Sequence, residues 1–224
     1  MIKSIHIKNF KSLKDVVMRP AHLNLLMGLN GMGKSSFIQS LLLLRQSKKS
    51  GLARFALNGA LTEIGRGRDA LYQSADEEII CFDFEEESNG LSDVFSCALM
   101  YHADNNVLDN NNEWPVDHLN KHSLFNNDFQ YLAAERIGPQ LDYPMSYADV
   151  IEKQQLGIRG EYTAHFLDAF GTSFKVPQCL WHHKAKSDIL LHQVAAWLGE
   201  ISPDIRLDTQ EVLGTDKVIM NYQF

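Results

Sequence analysis

The segment that most limits what this chain can fold into is Gly28-Leu29-Asn30-Gly31-Met32-Gly33-Lys34-Ser35, set between a short apolar run and an amphipathic stretch. Leu23-Asn24-Leu25-Leu26-Met27 reads as a buried parallel strand that stops at Gly28. Ser35 to about Gln46 reads as a helix, with Phe37, Ile38, Leu41, Leu42 and Leu44 at helical spacing and Lys48-Lys49 near its C-terminal end. Between them the pattern GxxxxGK[ST] is complete and stands in the strand–turn–helix context it requires. Glycines open backbone conformations closed to other residues, so successive N–H groups can turn inward around phosphate oxygens while the helix N-terminus adds its positive dipole end. On this reading Lys34 reaches the β- and γ-phosphates of ATP, and the Ser35 hydroxyl coordinates Mg²⁺.

The rest of the chain bounds this assignment more than it extends it. A length of 224 residues with 45% hydrophobic residues supports one sizeable core, or a core with a smaller satellite lobe. The net charge of −7 gives no overall basic surface, so composition does not support a nucleic-acid partner, although it leaves room for a local basic patch. Apolar runs such as Leu23–Met27 and Leu41–Leu44 are too short to span a bilayer, and the N-terminus begins a strand-like alternation instead of a signal peptide; a cytoplasmic location is expected. Cys81, Cys97 and Cys179 lie far apart without a CxxC pair and read as reduced thiols. The irregularly spaced Cys179, His182, His183 and His192 read as ordinary core or surface side chains, not as a metal set.

Along the chain, Ile2, Ile5, Ile7 and Phe10 mark an opening strand. Glu78–Glu85 and Phe95–Tyr101 mark a hairpin through the turn Ser88-Asn89-Gly90. Asp104–Glu113, rich in Asn and poor in apolar residues, reads as a flexible loop. Gly157–Phe170 and Asp188–Leu198 read as helices, and Ile205–Asp208 and Lys217–Phe224 as strands. Ile79–Glu85 imitates a metal-binding strand that ends in carboxylates, but its alternating polarity better fits an antiparallel strand with one solvated face. Glu85-Glu86-Glu87 reads as a solvated strand end.

The opening Ile5-His6-Ile7-Lys8-Asn9-Phe10-Lys11-Ser12, followed by Gly28–Ser36, resembles the start of SMC, RecF and related ABC-type ATPase heads. More narrowly, Leu41–Gln46, Leu57-Asn58-Gly59, Tyr131–Pro139, Gly157–Glu161 and Trp197–Pro203 resemble AAA-family ATPases of prokaryotic retron and Septu-type anti-phage defence operons, over nearly the whole chain. The resemblance implies an α/β P-loop NTPase head of ABC/SMC type, a mixed sheet around the Walker A helix with an antiparallel β subdomain. It places residues 1–50 in the first strand, P-loop and helix, 51–103 in a β-hairpin region, 104–113 in the loop and 114–224 in a helical and β continuation. It implies that Asn30, Gly31, Gly33, Lys34, Ser35 and Ser36 hold phosphate or Mg²⁺, that Lys11 lies near the nucleotide, and that Gln46 or Gln73 approaches the Mg²⁺. Its implied partners are a second copy of the head and an effector such as a nuclease, with ATP closing the two heads. The family's signature serine, carboxylate-ending Walker B strand and switch histidine have no convincing counterpart here, so the chain reads as an incomplete head.

Overall fold

The computed structural model describes residues 1–88, 91–203 and 206–223; Asn89-Gly90 of the expected turn, Ile205 and Phe224 lie outside the described residues. The chain divides into two compact units, Met1–Phe129 and Gln130–Phe224.

The first unit is built on a four-stranded antiparallel sheet in the order β2-β1-β4-β5. Its strands are β1 (Ile2–Phe10), β2 (Leu13–Met18), β4 (Ile79–Ser88) and β5 (Leu91–Met100). Period-2 alternation builds it, since successive side chains on a strand face opposite sides. Along β4, Ile80, Phe82 and Phe84 are buried while Asp83 and Glu85 face outward. Register is fixed by pairs such as Ile7 with Phe82 and Phe84 with Phe95. Phe10, Phe82 and Phe55 then make the aromatic centre of the core, Phe10 meeting Phe82 edge-on at 5.4 Å. Extended alternation also carries Glu86 inward, and its carboxylate is buried instead of solvated as expected.

Helix α1 (Lys34–Gln46) turns Phe37, Leu43 and Leu44 into this core. A short pair, β3 (Arg54–Ala56) and β6 (Val107–Asp109), packs Phe55 and Leu108 beneath it, with the single turns α2 (Gly67–Ala70) and α3 (Val116–Leu119) at its margins. The segment 104–113, expected as a flexible loop, therefore contains a strand. Its order comes from side-chain amides: buried Asn110 accepts the Ala98 N–H at 3.0 Å and donates to the carbonyls of Leu52 (3.0 Å) and Asn112 (2.9 Å). These bonds do the work that apolar burial does elsewhere.

The expected parallel strand at Leu23–Met27 is not formed, and among the described residues no mixed sheet surrounds α1. Leu23, Leu25 and Met27 are each more than three-quarters exposed, and Asn24 folds its amide back on Ala21, donating to its carbonyl and accepting its N–H. A strand exists only through a ladder with neighbours. The ladders of this unit are all antiparallel, and none of them includes residues 23–27.

The second unit holds an antiparallel sheet in the order β7-β9-β8, formed by β7 (Tyr143–Pro144), β8 (Arg206–Glu211) and β9 (Lys217–Gln223). Tyr143, Val218 and Ala164 of helix α4 (Thr163–Phe170) are its buried centre. The helices are shorter than periodicity predicts: α4 starts six residues after Gly157, because Gly157 and Gly160 take left-handed turns first, and α5 spans Leu190–Leu198.

Candidate functional site

The Gly28–Ser36 segment enters α1 through Gly33, the residue before the first helical turn, at φ 88°. Gly31 is also left-handed, at φ 83°. Side chains other than glycine rarely adopt this conformation. Gly33 carries a second constraint, since an added Cβ would lie 2.5 Å from Leu13 Cδ2 and 3.2 Å from Ser12 Oγ. The β1–β2 turn Lys11-Ser12 thus buttresses the loop where it becomes helix, and the Ser12 and Ser36 hydroxyls share a hydrogen bond of 3.0 Å.

No side chain caps α1, and no described acceptor takes the N–H of Lys34, Ser35 or Ser36. Three convergent amides and the positive end of the helix dipole suit an anion. Lys34 Nζ donates to the carbonyls of Gly28 and Leu29, at 2.7 Å each, so its ammonium lies folded over the loop. A phosphate entering there would exchange two neutral acceptors for charged ones, which form stronger bonds.

The sequence-derived site residues separate as follows. Asn30 and Gly31 lie exposed on the loop and Gly33 is buried at its base, while Lys34 and Ser35 open the helix with the Ser35 hydroxyl exposed. Ser36 is buried and its hydroxyl is taken by Ser12, so its offering to an anion is the backbone N–H. Lys11 sits in the buttressing turn at φ 52°, its N–H donating to Ala70 at 2.7 Å. Gln46 lies eleven residues beyond Ser35, or about 16 Å along the helix. Its amide donates to Ala56 (2.7 Å) and accepts from Leu61 and Thr62, which makes it a clamp on the 56–62 loop. Gln73 is exposed in a turn beside the β1 end, where Tyr72 donates to Asn9 at 3.0 Å. Ser12 was missed because a serine in a strand turn carries no signal until the turn is seen against the loop.

Asp83 and Glu85 occupy the solvated face of β4, as the alternation predicts. Asp83 meets His6 Nδ1 at 3.1 Å; Glu85 accepts the hydroxyls of Ser92 (2.8 Å) and Ser4 (3.0 Å), which hold its carboxyl below the ordinary carboxylate range. Opposite His6, Asp83 lies four residues from the buttressing end of β1, about 13 Å along the strand.

A left-handed glycine loop leading into an open helix N-terminus, with lysine and serine at its first two positions, defines a P-loop nucleotide-binding site. The sequence profile of the AAA ATPase domain family matches residues 1–157, and the chain belongs to that family of P-loop ATPases, which generally use ATP and Mg²⁺. No curated protein matches the sequence. Among the described residues no helix is long and apolar enough to cross a membrane.

Proposed function

We propose that the chain binds Mg·ATP at Gly28–Ser36, with Lys34 on the β/γ-phosphates, Ser35 on Mg²⁺, the amides of residues 34–36 on phosphate oxygens, and Lys11 and Gln73 at the margin. The carrying observation is the uncapped α1 N-terminus, whose first three amides have no described acceptor and whose second residue, Ser35, is exposed. In this reading ATP closes two heads around it, and closure is passed to an effector such as a nuclease in a prokaryotic defence system. The sequence resemblance supports that part. A DNA-repair role of RecF type has no comparable support, because the chain is acidic.

A second reading, nucleotide binding without turnover, is favoured by Asp83 and Glu85. Both are engaged on the outer sheet face, away from the loop. Phosphoryl transfer needs groups that position water and stabilise the transferring phosphate.

Equilibrium binding of a fluorescent ATP analogue, with Mg²⁺ and with EDTA, tests the site. Lys34→Ala should abolish most affinity in both conditions, whereas Ser35→Ala should weaken binding only with Mg²⁺. Unchanged affinity in Lys34→Ala would falsify the assignment. Single-turnover phosphate release separates the two readings, and sedimentation with and without ATP tests head closure; an unchanged sedimentation coefficient would remove the closure mechanism.

A further inference from the structure

At the β5 edge of the first unit, three metal-binding side chains meet outside the nucleotide site. Asp93 projects from β5, while His118 on α3 and His122 on the following turn approach it from one face, four residues apart. His118 Nε2 is 2.9 Å and His122 Nε2 3.3 Å from the same oxygen, Asp93 Oδ2, and the three candidate ligand atoms lie within 4.8 Å of one another. Metal–ligand bonds of about 2.0–2.1 Å in a tetrahedral shell set neighbouring ligand atoms about 3.3 Å apart, so this spacing needs only small side-chain rotations to close on an ion.

The inner histidine gives the independent sign. His122 is 5% exposed, and its buried Nε2, although 3.3 Å from Asp93 Oδ2, lacks hydrogen-bond geometry to it or to any other group. Its other nitrogen, Nδ1, lies 3.2 Å from the carboxylate of Glu86, which is equally buried and also accepts the Ser123 N–H. With Nδ1–H donating to Glu86, Nε2 presents a lone pair to the space beside Asp93. A carboxylate behind a histidine is the arrangement that fixes tautomer and ring orientation at metal centres and raises ligand basicity. Phe95 packs edge-on against the His122 ring at 4.5 Å and holds its plane. Buried unsatisfied nitrogens are rare enough that an ion is among the first explanations.

We propose that Asp93, His118 and His122 form a site for a divalent transition-metal ion of the Zn²⁺ class, with Glu86 as the positioning residue behind His122. Two imidazoles and one carboxylate suit Zn²⁺ or Co²⁺ and disfavour Mg²⁺, which prefers all-oxygen shells, so the site is chemically distinct from the Mg²⁺ of the nucleotide. Asp93 and His118 are each more than one-third exposed, which leaves room for water as a fourth ligand. The bound ion would pin the 116–122 segment to the edge strand of the sheet.

The test titrates the chelator-stripped full chain with Zn²⁺ in competition with a chromophoric indicator, and with Co²⁺ followed by visible ligand-field absorption. One equivalent should bind, and the thermal midpoint should rise with metal. Asp93→Asn and His118→Gln alter exposed side chains and should keep the metal-free circular dichroism spectrum while lowering affinity at least about tenfold, as should Glu86→Gln through the ring it orients. Nucleotide binding should not change in Asp93→Asn or His118→Gln. Absence of saturable binding overturns the proposal, and so does full affinity in either Asp93→Asn or His118→Gln, because the ion would then be held by other histidines.

Discussion

Replacing Gly33 by alanine separates two costs that the loop imposes on one residue. Holding a non-glycine residue in the left-handed region costs about 1–2 kcal/mol. Gly31→Ala should incur only that term, since nothing lies within 4 Å of its added Cβ. Gly33→Ala adds the collision with Leu13, a buried residue that must leave its rotamer, and overpacking of this kind costs about 1–3 kcal/mol more. The expected losses are therefore about 1–2 kcal/mol for Gly31→Ala and about 2–5 kcal/mol for Gly33→Ala. Of the three tryptophans, only Trp114 lies in the first unit, packed against Phe95 at 5.8 Å. Urea unfolding followed by Trp114 fluorescence in a Trp181→Phe/Trp197→Phe background therefore reports on that unit. Leu13→Ala should be less costly beside Gly33→Ala than alone, by a coupling of about 1 kcal/mol. Equal losses for the two glycine substitutions, with no coupling to Leu13, would refute the buttress.

Three further outcomes are expected. Asn110→Ala should lower the stability of the first unit by about 1–3 kcal/mol in the same unfolding assay, because the carbonyl of buried Leu52 and the N–H of Ala98 lose their partner. His165 is buried and its Nδ1 accepts the Ser146 N–H; burial lowers its pKa from 6.5, opposed by Asp168 and Glu211. The unfolded chain then binds the proton more readily, so this contribution is complete above about pH 6.5 and is lost as pH falls towards the folded pKa. His165→Asn should flatten the stability–pH slope in that window, and an unchanged slope would count against it. Burial pushes the Cys97 thiol up to about 12, whereas Cys179 is exposed, so a thiol reagent at neutral pH should label Cys179 first and Cys97 last by peptide mass mapping.

Legibility in the sequence followed how local each cause was. Helix α1 was readable because Phe37, Leu42 and Leu44 recur at its period and the loop before it has few alternatives. β4 was readable because two-residue alternation sorts Phe82 and Phe84 from Asp83 and Glu85. The same alternation places Glu86 inside, but a run of three glutamates reads as solvent-facing when composition outweighs phase. Order in 104–113 was hidden because it rests on Asn110 reaching Leu52, far away in sequence. Leu23–Met27 failed for a related reason: apolar character marks a segment for burial, but its ladder depends on which strands stand beside it. The place of Gln46 at the far end of α1 and of Gln73 in a turn depends on element lengths that spacing alone does not give. His118 and His122 do show a four-residue spacing in sequence, yet Asp93 and Glu86 come from a hairpin that the spacing does not reveal.

The P-loop is held unequally: firmly where Gly33 packs beside Leu13 and Ser12, through Lys34 at Gly28 and Leu29, and least along the exposed residues 23–27, whose backbone lacks a ladder. Nucleotide affinity is therefore a composite quantity, the contact free energy less the entropy of fixing that arm, at about 1–2 kcal/mol for each residue's backbone fixed. Any contact that orders the arm beforehand raises affinity without touching the nucleotide. Linkage makes the effect reciprocal, so bound nucleotide strengthens that contact by the same factor.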